Sequence, residues 1–198
     1  EHPECATLNF ELVEDGADGR SPYKSSLIPA QYAIRGFHSW TVSLREFGDM
    51  PTFLNEAWNY NKLGTEGEFT RYSVDSDGSS SKVVDLWLRP DVPAGNWVYG
   101  EGMVHHGAFG VPSLDVQDKV KYECEGLGFT DCSERKHRGY FQSVYVRTPA
   151  GALFEATHTL GFTVDEPADK LGQDLIISPQ FADQKDELLR RLNDPLDI

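Results

Sequence analysis

Basic side chains are scarce in this chain: 18 Lys and Arg stand against 32 Asp and Glu, for a net charge of −14. With no basic stripe to displace counterions from phosphate, nucleic acid is excluded as a partner, and the acidity reads as a solvated surface. Cysteine is equally sparse. Cys5, Cys124 and Cys132 are odd in number and lack CxxC spacing, which fits a reducing cytoplasm better than a disulfide framework. No apolar run approaches the length of a bilayer span, so no membrane role is expected. No basic segment followed by an apolar one opens the chain, which begins at Glu1-His2-Pro3-Glu4-Cys5 without a methionine. The start therefore reads as a cut and not as a signal peptide.

What is present is ample apolar material for a core. Of 198 residues 39% are hydrophobic and 12% aromatic, enough for one domain or two small packed units. Residues 6–13 read as a strand in need of partners, followed by a polar linker rich in Gly, Ser and Pro to about Ala30, so that 1–30 looks like the end of a preceding unit. From there the pattern repeats. The first copy, 31–101, runs from a strand at 37–44 to a helix at about 50–62, where Phe53, Leu54, Ala57 and Trp58 fall at helical spacing. Strands follow at 67–74 and 82–88, joined by Asp75-Ser76-Asp77-Gly78. The second copy, 102–160, runs from a strand at 103–111 to a helix at about 114–126 with Ser113 as its N-cap. Strands at 140–147 and 152–157 are then joined by Thr148-Pro149-Ala150-Gly151, a hairpin signal. Each copy reads as strand, helix and about three strands, one of them inferred from the length available. The remainder, 161–198, is a packed tail whose last helix opens at Ser178-Pro179 and carries Phe181, Leu188, Leu189 and Leu192 on one face.

Two residues of the second copy are out of keeping with their surroundings. His106 in Val104-His105-His106-Gly107-Ala108-Phe109 and Glu155 in Ala152-Leu153-Phe154-Glu155-Ala156 lie in apolar strand-like runs, where an imidazole or a carboxylate is costly unless something satisfies it. A divalent metal would satisfy both, and the small residues Gly107 and Ala108 would leave room for a bound molecule. The plain alternatives are a hydrogen-bonded core histidine and a surface-facing glutamate.

The repeated βαβββ unit, the His105-His106 strand, the hairpin running from Tyr140 to Glu155 and the following Gly161-Phe162-Thr163-Val164-Asp165-Glu166-Pro167 together resemble the vicinal oxygen chelate superfamily. Within it they resemble the hydroquinone-type ring-cleaving dioxygenases, over the chain from about Leu8 to its end. The resemblance implies an α+β fold of tandem βαβββ modules forming a curved mixed sheet with a cavity, and places this chain at the C-terminal part of a four-module protein. It implies a non-haem Fe(II), with Mn(II) or another divalent metal as alternatives, held by two histidines and a carboxylate. His106 and Glu155 match two of these ligands.

In the hydroquinone-type group the third ligand comes from a first module this chain does not include, and His38 is the local candidate. Aligning the two copies sets His38 opposite His105 and Ser39 opposite His106, which gives His38 the parity of the non-ligand histidine. His105, Arg138 and Tyr145 match the surrounding catalytic residues: His105 or Tyr145 as base toward a bound phenol, Arg138 or His105 as stabiliser of an oxygen-derived anion. Arg138 also reads as one member of a basic surface cluster, Arg135-Lys136-His137-Arg138. Two adjacent histidines facing one cavity imply a twist or bulge at Val104.

The expected partners are a small aromatic substrate and O2, together with N-terminal modules or a second copy of the chain. Two other functions stay open: a glyoxalase-like lyase or isomerase using the metal as a Lewis acid, and a non-catalytic small-molecule-binding module of the same fold. Glu11 and Asp85 hold places in their strands like that of Glu155 and read as leftovers of duplication.

Overall fold

The computed structural model describes residues 9–24, 27–93, 103–161, 166–167, 170, 173 and 175–193. The expectations for Cys5, residues 6–8, the boundary at 101–102 and residues 162–165 lie outside these. Asn9 to Val13 are described and form no strand.

Two four-stranded mixed sheets account for the repeat. The first contains β1 (Ser39–Leu44), β2 (Asn61–Glu66), β3 (Phe69–Ser73) and β4 (Val83–Leu88) in the order β1-β4-β3-β2. The second contains β5 (Gly107–Gly110), β6 (Lys136–His137), β7 (Phe141–Arg147) and β8 (Leu153–Thr159) in the order β5-β8-β7-β6. In each, the first and last strands pair in parallel and the others antiparallel. The strands inferred from length alone are β2 and the two-residue β6.

The registers superimpose. Thr41 and Arg71 flank Asp85 in the first sheet, and Ala108 and Tyr145 flank Glu155 in the second. Asp85 is therefore the counterpart of Glu155, Arg71 of Tyr145, and, two residues before the pairing positions, Ser39 of His106.

The two helical connections differ because their local signals differ. Residues Leu114–Gly126 form α2 as the sequence predicts, with the Ser113 hydroxyl accepting from Val116 N at 3.2 Å. Its Gln117, fully buried, donates from Nε2 to the carbonyls of Gln142 and Ala156, each at 2.8 Å, and accepts from Arg135 Nε at 2.9 Å. One side chain thus ties the helix to β7 and β8.

The first connection is shorter than the predicted helix over 50–62. It makes a turn of α1 (Met50–Thr52) and then a π-helical segment at Phe53–Ala57, with Trp58 N reaching Phe53 O at 3.0 Å. Asn59 then turns to φ 59°, a left-handed conformation that asparagine tolerates, and β2 begins two residues later.

The π segment swings large side chains out of one copy and into the other. Phe53 stacks on Trp58 at 5.4 Å and meets Phe129 and Phe154 edge-on at 5.4 and 5.8 Å. Trp58 reaches Phe109 and Phe154 at 5.5 and 5.4 Å. The aromatic core is therefore shared between the copies.

Ser178 precedes a 3-10 turn (Pro179–Gln184), and α3 (Lys185–Asn193) follows it. Leu188 and Leu189 are half-buried and Phe181 is exposed. Among the described residues no helix is long and apolar enough to cross a membrane.

Candidate metal centre

All four strands of the second sheet carry or adjoin side chains of the site. Glu155, in the middle of β8, has neighbouring strands on both sides and is only 2% exposed. A carboxylate so enclosed needs partners for both oxygens. Oε1 accepts a hydrogen bond from the hydroxyl of Ser143 on β7, itself fully buried. Oε2 meets His106 Nε2 at 2.7 Å.

His105 and His106 stand just before β5, which starts at Gly107. No bulge is needed for them to converge. The alternation of a strand does not govern residues outside it, and in this irregular approach the two rings lie edge to face at 5.0 Å with their Nδ1 atoms 2.7 Å apart. At that separation one Nδ1 donates and the other accepts. The other face of the site is Tyr145, directly opposite Glu155 in the register, whose ring lies edge-on to His106 at 5.5 Å. Arg138 leads from β6 into β7, with its guanidinium 5.6 Å from the Tyr145 ring centre and Nη2 donating to the Tyr145 hydroxyl at 3.4 Å.

The basic cluster at 135–138 is accordingly divided. Arg135 turns back to α2, donating to Gln117 and pairing with Asp118, while Arg138 faces the site.

His105, His106, Arg138, Tyr145 and Glu155 are thus brought together. His38 is not brought to them. It precedes β1 in the other sheet, its carbonyl accepts from Ser81 N at 2.7 Å, and its buried Nδ1 has no hydrogen-bond partner. The cause is the internal symmetry: His38 occupies in the first sheet the place of His105 in the second, so it stands by its own sheet. Among the described residues no group of three His, Cys, Asp or Glu side chains is placed to hold a metal.

The small residue after His106 serves a different purpose from the one expected. A Cβ on Gly107 would lie 3.1 Å from the indole of Trp40, so the space belongs to a side chain of β1 and not to a bound molecule.

Sequence reasoning missed Ser143 and the Arg71–Asp85 pair. In the first sheet Arg71 donates to both oxygens of Asp85, at 2.9 and 2.8 Å, so the counterpart of Glu155 is already neutralised. Strand alternation puts Ser143 on one face with Tyr145, but which carboxylate each donor meets follows from the register between strands.

Two mixed sheets of βαβββ connectivity, with a histidine–carboxylate pair in one of them, are the fold of glyoxalase/bleomycin resistance/dioxygenase proteins. A glyoxalase/bleomycin resistance/dioxygenase domain from Frankia superposes with a TM-score of 0.55 over 66% of this chain and 96% of that one at 12% identity. A Bacillus subtilis structure provisionally named a dioxygenase gives 0.69 at 25% identity, over 87% of this chain and 54% of that one.

In sequence, the chain is 49% identical over its whole length to a chlorohydroquinone/hydroquinone 1,2-dioxygenase of Sphingobium indicum, 61% of which it covers. It is 32% identical over 85% of its length to the provisionally named ring-cleaving dioxygenase MhqE of Bacillus subtilis, covering 54% of that protein. The chain spans just over half the length of the curated relatives it matches. No family model matches it.

Proposed function

We propose that this chain is part of a ring-cleaving dioxygenase that inserts O2 into a hydroquinone or catechol, with His106 Nε2 and Glu155 Oε2 as two ligands of an Fe(II), Mn(II) being the alternative metal. The observation that carries the reading is the buried Glu155 carboxylate, with one oxygen fixed by Ser143 and the other turned to an imidazole nitrogen at 2.7 Å. That donor set suits a divalent cation: one nitrogen and one anionic oxygen, both able to bind once unprotonated. The 49% identity to a chlorohydroquinone/hydroquinone dioxygenase supports the substrate class.

A bound Fe(II) supplies electron transfer between an aromatic diol and dioxygen. The rest is the work of the side chains. With His106 Nε2 on the metal, its Nδ1 carries the proton donated to His105 Nδ1, so in this reading His105 fixes the tautomer and orientation of the ligand imidazole. Arg138 donates to the Tyr145 oxygen, which leaves the Tyr145 proton to reach an oxygen-derived anion, with the Arg138 charge behind it. The third ligand is supplied by polypeptide outside this chain, or by a second copy of it. The free thiols of Cys124 and Cys132 agree with a reducing cytoplasm.

The test is oxygen uptake by the full-length protein after anaerobic loading with Fe(II), using substituted hydroquinones. Uptake with matching ring cleavage is expected, lost in both His106→Ala and Glu155→Ala. No uptake with any hydroquinone or catechol would sink the reading.

A further inference from the structure

The two copies of the fold form an internal control for what turns a buried carboxylate into a ligand. Asp85 and Glu155 occupy the same register position, yet they are satisfied in opposite ways. Arg71 takes both oxygens of Asp85 and cancels its charge. In the second sheet Tyr145 stands at the position of Arg71, and the hydrogen bond comes instead from Ser143, two residues earlier on the same face of β7. The counterpart of Ser143 in β3 is Phe69, which has no donor.

A hydroxyl is a neutral donor. It satisfies one lone pair of a carboxylate without neutralising it, so the negative charge stays available to a cation. Because Ser143 is fully buried and reaches only Oε1, it also decides which oxygen is left over.

We propose that Ser143 is a positioning residue for the metal-binding carboxylate: it holds Oε1 of Glu155 so that Glu155 binds a divalent cation through Oε2 alone. The proposal rests on the reading of His106 and Glu155 as ligands. Partners of ligating groups of this kind typically affect metal affinity by about 10- to 100-fold.

The experiment measures Mn(II) dissociation constants of the full-length protein by competition with a chelating dye, for the wild type, Ser143→Ala and Ser143→Thr. Affinity should fall about 10- to 100-fold in Ser143→Ala and be largely restored in Ser143→Thr, which keeps the hydroxyl. Equal affinity in wild type and Ser143→Ala overturns the proposal while leaving the ligand assignment intact. Absence of Mn(II) binding by the wild type overturns both.

A second measurement does not depend on the variants at Ser143 folding. In the metal-induced infrared difference spectrum of the wild type, the carboxylate bands that disappear in Glu155→Gln should show the wide splitting of one-oxygen ligation. The narrow splitting of a two-oxygen ligand would overturn the proposal.

Discussion

A carboxylate in this protein takes its meaning from the group facing it, and four of them show the range. Glu155 faces a histidine and a serine, and Asp85 an arginine. Asp75 and Asp18 face cations at the surface: the Lys82 ammonium, 2.6 Å away, holds the Asp75 carboxyl well below the usual range, and the Arg20 guanidinium pulls Asp18 down to about 2. For both, the folded state binds the proton less tightly than the unfolded state. Their contribution to stability is therefore full above the unfolded value of 3.8 and is lost as pH falls through the folded value. Between pH 4 and about pH 2 the unfolding midpoint should drop, and Asp75→Asn and Asp18→Asn should each flatten that dependence, read by thermal melts at a series of pH values. A slope unchanged in both variants would contradict the assignment. The linked groups lie in the first copy and the linker before it, away from Glu155, so the measurement is independent of metal.

Among the elements, β1 and β5 meet where Trp40 lies against Gly107. Trp40 on β1 and Gly107 on β5 are equivalent positions of the two copies, and the indole of one lies where a side chain on the other would be. Gly107→Ala puts a methyl group 3.1 Å from that ring, so the indole must give way or β5 must move. The expected cost is about 1–3 kcal/mol, measured by urea unfolding. Gly107 directly follows His106, so under the proposed ligation Mn(II) affinity should weaken as well; Trp40→Phe in the same chain should recover part of both losses.

The elements also differ in how far the sequence exposes them. Helix α2 was legible to the residue, since Ser113 caps it and its signals are local. The π segment was not: the apolar spacing of Phe53, Leu54, Ala57 and Trp58 fits a helix, and only the turn at Asn59 ends it. Likewise the strand at 103–111 is ordered as a strand only over Gly107–Gly110. That difference frees His105 and His106 from strict alternation.

As a whole molecule the two copies stand on one shared core, because Phe53 and Trp58 of the first pack on Phe109, Phe129 and Phe154 of the second. Phe53→Ala should cost about 3–5 kcal/mol, seen as a lower urea midpoint. Far-ultraviolet circular dichroism and tryptophan fluorescence should still report a single transition, since neither sheet keeps a complete core without the other. Two separated transitions would mean that the copies fold independently.

Much of the outcome was determined by sequence alone: the βαβββ repeat, the position of α2, and Glu155 as a carboxylate out of keeping with its apolar strand. These are legible because periodicity, capping and the cost of a buried charge act over a few neighbouring residues. Tertiary structure alone decided that His105 and His106 converge without a bulge, that His38 stays with its own sheet, that Gly107 makes way for Trp40, and that Ser143 holds one oxygen of Glu155 while Arg71 holds both of Asp85. The physical reason is that these are contacts between strands and between copies. The pairing register and the packing of one sheet against the other set them, and neither is written in the local pattern of the chain.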